Sequence, residues 1–337
     1  MKLISEKPKI KIPRKIRKLK WGVAGCGHFL ENTFLPTFLQ LKRSSLVSVY
    51  SHNLDRAKFI SNKFLAQNAF NNFDEFLKSD FDTLYISSVN SDHYEQVIKA
   101  ANAGKNILCE KPLALTSDQA SEMVKVCEAN NVYLAVNYVH RFHPLIVKAK
   151  QICENQMLGK IISVRADFHI DFPPNENFRF RKNKSGGGAL RDLGTHMIDL
   201  LRYFGGEITD IKGFMDNVIY QSEVEDYSSA LVKFKNGGFG SFSVSYSSKK
   251  AFNRIEITGY SGSISIENLI GKKIATSKLI IDLTGEARKA FRKRANKQIY
   301  LLRAFQKALL KKHPFSITGY DGYVNLRLME ELEKKCR

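Results

Sequence analysis

The stretch Lys20–Pro36, KWGVAGCGHFLENTFLP, admits two incompatible readings. Basic residues precede it, and VAGC, ending at Cys26, has the small-residue look of a lipoprotein processing site. GVAGCGHFL, in contrast, looks like a glycine-rich phosphate loop. One reading sends the chain to a membrane; the other gives it a dinucleotide. A signal peptide needs about 7 to 15 apolar residues before its cleavage site. Lys18 and Lys20 leave only WGVAG there, so export is not expected. Nor does any run approach the roughly 18 apolar residues of a membrane span.

Composition supports the second reading. A chain of 337 residues that is 43% hydrophobic can bury two substantial cores. Five cysteines, an odd number with no C-x-x-C pair, suit a reducing compartment, and a cytoplasmic location is expected. The net charge of +20 invites a nucleic-acid reading. It is concentrated in two places: residues 1–20 hold nine Lys or Arg against Glu6, and residues 271–315 hold thirteen against Asp282 and Glu286. No zinc-finger spacing or RNP-like aromatic pattern accompanies it, so neither nucleic-acid binding nor a stable membrane anchor is expected. Residues 1–18 read as a flexible basic arm and the second segment as a solvated basic excursion.

From Lys20 onward, strands and helices alternate. WGVAG, LVSVYS, TLYISSV, NILCE and VYLAVNY are short apolar, β-branched runs. Between them, FLENTFLPTFLQLK, RAKFISNKFLA, HYEQVIKAANAGK and SDQASEMVKVCEANN have helical spacing, with Pro36 at a kink and Ser117 or Asp118 capping the last. Regular β-α alternation implies right-handed crossovers and a doubly wound parallel sheet, here over residues 19–138. Residues 139–337 read differently. Helix HPLIVKAKQICEN leads to strand KIISVRADFHI, a glycine-rich loop and helix GTHMIDLLRYF. DIKGFMDNVI, DYSSALVKF, GFGSFSVSYSS, RIEITGY and GSISIEN then follow without helices, with KNGG as a hairpin turn. This is an α/β domain with an open, mainly antiparallel sheet, whose free face suits a second subunit. Leu301–Lys312 and Tyr323–Lys335 close the chain as helices.

Three stretches carry chemistry. Gly25 permits the tight turn after the first strand, Gly27 lets a phosphate approach, and a helix beginning near His28 and Phe29 turns its N–H groups and dipole toward that phosphate. Leu30 occupies the third glycine position of the fingerprint. In CEKPLALT, Pro112 keeps Lys111 out of helical geometry at the carboxyl edge of the sheet, where α/β folds bind ligands. In SGGGALRDLGTHMIDLLRYFGG, Asp192 and His196 lie one helical turn apart, facing one point in space. They could ligate a metal, but no third or fourth ligand accompanies them, and none is expected.

These stretches resemble the Gfo/Idh/MocA family of oxidoreductases, from about Lys20 to Lys335. GCGHFLENTFLP is similar to the family's cofactor loop, VNSDHYEQVIKAANAGKNILCEKPLA to the segment with its E-K-P motif, and GGGALRDLGTHMIDLLRYFGG to the helix with its D-x-G-x-H-x-x-D pattern. The resemblance implies a Rossmann domain followed by an α/β domain used for oligomerisation, as a homodimer or homotetramer. It also implies a catalytic group of Lys111, Asp192 and His196, with Glu110 and Lys111 beside the cofactor. Asn90 and His93 fall in the family's T-P-N-x-x-H segment near the cofactor, although Val89 replaces the usual proline. The implied reaction moves a hydride between nicotinamide C4 and a sugar carbinol carbon. A neutral imidazole is suited to take the accompanying proton, so His196 is the expected base, Lys111 the stabiliser of charge on the oxygen, and Asp192 the group that orients the imidazole or a neighbouring hydroxyl.

Cofactor and substrate choice are read from loops. Where an Asp or Glu often bonds the adenosine ribose of NAD, this chain has Ser51 and His52, followed by Asn53; both of the former can donate to a 2′-phosphate, so either NAD or NADP is expected, with NADP modestly favoured. Arg179, Arg181, Lys182 and Lys184, in NFRFRKNK, either receive an anionic sugar derivative or form a solvated loop. Two other functions share the fold: a redox-assisted glycosidase that retains NAD, and a non-catalytic ligand sensor, against which the intact Lys111, Asp192 and His196 argue.

Overall fold

Each apolar run read as a strand lies in a sheet of the computed structural model, which describes residues 18–270 and 276–336. Strands β1 (Leu19–Ala24), β2 (Ser44–Tyr50), β3 (Asn68–Phe70), β4 (Thr83–Ile86), β5 (Asn106–Cys109) and β6 (Leu134–Val136) form a six-stranded sheet in the order β3-β2-β1-β4-β5-β6. Every pairing in it is parallel. This is the doubly wound dinucleotide-binding order, and it puts the carboxyl ends of β1 and β4 side by side at the switch point. Helices α1 (Leu35–Phe38), α2 (Leu54–Phe64), α3 (Phe73–Leu77), α4 (Asn90–Asn102) and α5 (Ser117–Ala129) are the crossovers. Residues 28–38 are continuously helical, with a π turn, Leu30–Phe34, directly before α1; Pro36, which has no N–H to donate, lies just after that turn. The cap of α5 is Thr116, whose Oγ1 accepts from Gln119 N–H at 3.2 Å. The expected cap, Ser117, instead donates its N–H and hydroxyl to Glu330.

Helix α6 (Pro144–Glu154) leads into a second, eight-stranded sheet. Its strands are β7 (Ile161–Asp171), β8 (Ile208–Asp216), β9 (Tyr227–Phe234), β10 (Phe239–Ser245), β11 (Ser247–Gly259), β12 (Gly262–Glu267), β13 (Thr276–Leu283) and β14 (Lys289–Arg294), ordered β14-β13-β12-β11-β7-β10-β9-β8. One pair, β7 with β10, is parallel and the rest are antiparallel. The β9–β10 hairpin turns at Gly237 and Gly238, both at φ +85°, as the Asn-Gly pair predicts. Part of the expected basic excursion is β13 and β14. β14 is fully exposed and cationic, which suits an edge strand that must not recruit another sheet. The basic arm expected over residues 1–18 lies, apart from the exposed Lys18, outside the described residues.

The short helix α7 (Lys182–Ser185) packs against α4, and α8 (Thr195–Gly205) covers one face of this sheet. The last two helices, α9 (Lys297–Lys311) and α10 (Gly319–Lys335), return to the first sheet. Phe305 of α9 packs edge-on against the fully buried Trp21 of β1, and Asn296 donates to Thr37 at 2.9 Å. One contiguous apolar core therefore runs through both sheets. No helix among the described residues is long and apolar enough to cross a membrane.

Candidate active site

The glycine turn follows directly from local sterics. Gly25 has φ +87°, and a Cβ there would lie 2.3 Å from Ser88 N, so only glycine lets β1 pass the loop after β4. A Cβ on Gly27 would meet nothing within 4 Å. The turn thus fronts open space at the start of a helix, beginning at the exposed His28 and Phe29, and a dinucleotide pyrophosphate fits it. Leu30, at the third glycine position, is fully buried in the π turn.

At the ribose end, the Ser51 hydroxyl accepts from Asn53 N–H at 3.3 Å, and Asn53 caps α2 by accepting from Arg56 N–H at 3.0 Å. His52 pairs with Asp92 at 2.8 Å. The Arg56 side chain is engaged at both ends: Nε donates to the Cys26 carbonyl at 2.9 Å and Nη2 to Glu31 at 2.5 Å. It ties α2 to the glycine turn. Lys63 and Arg56 together hold the Glu31 carboxyl down to about 2.

The E-K-P loop is anchored from below. Glu110, half-buried at the end of β5, has its pKa raised by desolvation, against the pull of its partners Tyr85 and Asn137. The Lys111–Pro112 peptide bond is cis. His93 is fully buried, with Nδ1 3.0 Å from the Pro112 carbonyl and Nε2 3.2 Å from the Ser88 carbonyl, so it fastens the Lys111 loop to the loop that Gly25 abuts. Asn90, at the start of α4, donates to the Ser185 carbonyl at 2.9 Å and joins the two domains.

The helix carrying Asp192 and His196 begins with close backbone contact. A Cβ on Gly188 would lie 2.0 Å from the Glu225 carbonyl oxygen, and the Glu225 carboxylate accepts from Gly188 and Leu190 N–H at 3.0 and 2.9 Å. A second π turn, Leu190–Gly194, carries Asp192 before α8 begins. Asp199, at the end of the D-x-G-x-H-x-x-D pattern, is turned away from the site. It takes a bidentate pair from Arg141, at 2.9 and 2.5 Å, which locks α8 to the loop after β6.

Lys111 and Asp192 meet. The ammonium donates to Asp192 Oδ1 at 2.5 Å and to the Asp192 main-chain oxygen at 2.9 Å. Arg179 Nε and Tyr246 OH donate to the other carboxylate oxygen at 3.2 and 2.9 Å. Burial alone would raise the Asp192 pKa, but Lys111, Arg179 and Tyr246 outweigh it and hold the carboxyl well below the usual range. Asp192 is thus a charged seat for the Lys111 ammonium, and no hydrogen bond joins it to His196 among the described residues. His196 is buried, its Nδ1 lacks a hydrogen-bond partner, and its ring meets that of His140 edge-on at 4.5 Å. Burial first, then the Lys111 charge, push its pKa well below the ordinary imidazole value, against Asp192. The imidazole is neutral at pH 7. Lys297, at the start of α9, donates to the Leu269 carbonyl at 2.7 Å; burial lowers it to about 8, and its charge helps depress both His140 and His196.

Sequence reasoning missed Tyr246, at the β10–β11 junction, and left Arg179 inside a basic loop. Arg181, Lys182 and Lys184 of that loop are exposed, while Arg179 turns inward onto Asp192. Among the described residues no cluster of three His, Cys, Asp or Glu is placed to hold a metal.

A neutral base and a fixed ammonium at the carboxyl edge of a dinucleotide fold suit removal of a proton while a hydride leaves the same carbinol. The class is that of NAD(P)-dependent dehydrogenases and reductases acting on CH–OH groups. Comparison with known proteins makes this particular. Residues 19–138 match the oxidoreductase family with an NAD-binding Rossmann fold, and residues 146–265 match the GFO/IDH/MocA C-terminal domain. The chain belongs to the Gfo/Idh/MocA oxidoreductase family. It is 30% identical over 265 residues, 74% of this chain and 79% of the other, to the oxidoreductase P35 of Formosa agariphila. An aldose-aldose oxidoreductase from Caulobacter crescentus shares its fold with a TM-score of 0.88 at 23% identity, over 95% of this chain and 98% of that one. Levoglucosan dehydrogenase, in complex with NADH and levoglucosan, does so with a TM-score of 0.86 at 23% identity, over 95% and 97%.

Proposed function

We propose that the protein interconverts a secondary alcohol and a ketone on a sugar, sugar derivative or nucleotide sugar, using NADP or NAD, with residues 19–138 holding the dinucleotide and residues 139–337 the sugar. The observation that carries this reading is the Lys111 ammonium seated on Asp192 near a buried, neutral His196. When bound, the nicotinamide supplies the hydride acceptor or donor. His196 is in the protonation state that accepts the hydroxyl proton. Lys111, fixed before substrate arrives, stabilises the charge developing on the same oxygen. Asp192 positions Lys111, and Arg179 and Tyr246 keep Asp192 charged. Levoglucosan and aldoses, named for the two structural relatives, support a sugar.

Ser51 itself carries no carboxylate to repel a 2′-phosphate and its hydroxyl can donate to one, which supports a modest NADP preference. The outer face of the eight-stranded sheet exposes Phe214, Leu231 and Phe239 at 82%, 69% and 62%, which supports a homodimer or homotetramer built on that face, while free cysteines without a C-x-x-C pair support the cytoplasm. The test is a screen of neutral, acidic and nucleotide-linked sugars with each oxidised cofactor, preceded by mass spectrometry of ligands released on denaturation. Formation of reduced nicotinamide with a sugar is expected. Release of bound NAD, with glycosidic cleavage and no net reduction, would overturn the reading.

A further inference from the structure

Five surface cations that the reaction above does not use come together at one place. Lys42 and Arg43, in the turn before β2, line one side of a recess of about 370 Å³; Arg303, Lys307 and Lys311 of α9 line the other. No carboxylate lines it. All five side chains are exposed, and none has an ion-pair partner among the described residues. Other surface cations are paired, Lys63 with Glu31, Lys99 with Asp74 and Lys335 with Asp210. At this end of the first sheet, Asp80 and Asp82 are engaged by Lys20.

The recess is separate from the active site. It opens at the amino ends of β1 and β2, whereas the Gly25 turn lies beyond the carboxyl end of β1, six residues or about 20 Å away. Its two sides are held at a fixed separation, because Gln306 of α9 donates to Ser44 of β2 at 2.7 Å and Phe305 packs on Trp21.

We propose that this recess is a second, non-catalytic site that binds a compact polyphosphate-type anion, one with two or more linked phosphate groups. Arg303, Lys307 and Lys311 recur every four residues along one side of α9, about 6 Å apart at the backbone, and their long side chains can converge on linked phosphates that share bridging oxygens. Arg43 and Arg303 can each clamp a phosphate with two N–H groups, from opposite sides. A flat lipid surface or a duplex backbone would touch only the rims, whereas a compact anion is reached from both. An anion also relieves the mutual repulsion of five unpaired cations.

The test is calorimetric titration of the full chain with inorganic triphosphate, with and without saturating NADP. Saturable binding at one per chain is expected, persisting with NADP and weakening with salt. Arg303→Gln and, from the opposite side, Arg43→Gln should each weaken it by about tenfold, while the remote Lys250→Gln leaves it unchanged. These side chains are exposed, and unaltered thermal midpoints are expected. Absence of saturable binding, displacement by NADP, or equal loss in Lys250→Gln would overturn the assignment. Tighter binding of anionic phospholipid vesicles or single-stranded DNA than of triphosphate, lost in the same variants, would overturn the compact ligand in favour of an extended one.

Discussion

Replacing Lys111 by Met removes the ammonium and keeps most of the side-chain volume. In the wild type, that ammonium is held by two bonds to Asp192, at 2.5 and 2.9 Å, so it is oriented before substrate binds. Loss of one such preorganised donor typically lowers kcat by about 10²- to 10³-fold, or about 3 to 4 kcal/mol, and that is the fall expected here. The glycine turn is untouched, so cofactor affinity should change little. A second readout is specific to this geometry. The Lys111 charge is the main electrostatic influence, after burial, that keeps His196 from protonating. Without it the His196 pKa rises, and the acid limb of the pH profile for kcat/KM in the oxidative direction moves to higher pH. Steady-state kinetics across pH, with cofactor titration by fluorescence, measure both. Near-normal turnover, or a large fall in kcat with an unmoved acid limb, would refute the reasoning.

His196→Ala should lower turnover by about 10²- to 10⁴-fold with cofactor binding intact, and near-normal turnover of the folded variant would remove it from the role of base. Ser51→Asp should shift the kcat/KM ratio toward NAD by at least about tenfold, since a carboxylate about 4 Å from a 2′-phosphate costs several kcal/mol; a wild type strongly selective for NAD would contradict the reading of Ser51. Acid stability should follow the buried imidazoles. His93, His140, His143 and His196 all have lowered folded values, His143 to about 4. Their contribution is complete above the unfolded value of about 6.5 and is lost as pH falls from there toward the folded values, at about 1.4 kcal/mol per pH unit for each group. Denaturant midpoints should therefore drop steeply between pH 7 and 5, and a flat profile would show that these imidazoles are protonated or exposed.

What was legible in the sequence depended on local signals. The parallel sheet could be read because each of its strands, except the three-residue β3, is an apolar run flanked by a helix-spaced segment. The β9–β10 hairpin could be read because Asn-Gly permits positive φ. β14 was hidden because an exposed edge strand rich in Lys and Arg has the composition of a solvated loop. At the site, the four-residue spacing of Asp192 and His196 pointed to one location, but it could not show what else the carboxylate would touch. The Asp192 carboxylate is occupied by Lys111, Arg179 and Tyr246, and the first and last of these lie 81 and 54 residues away in sequence. Only tertiary packing creates that seat, and Tyr246 carries no local pattern that announces it. Ser117 shows the same limit: Glu330, 213 residues later, claims a side chain that local capping rules assigned to α5.

In the proposed reaction a hydride passes directly between nicotinamide and a sugar carbinol carbon. With a sugar identified by the screen, the decisive measurement is mass spectrometry of cofactor and product after oxidation of that sugar deuterated at the reacting carbon. One deuterium should appear in the reduced nicotinamide per ketone formed. Deuterium found in solvent, or kept in the product while the cofactor stays oxidised, would contradict the account.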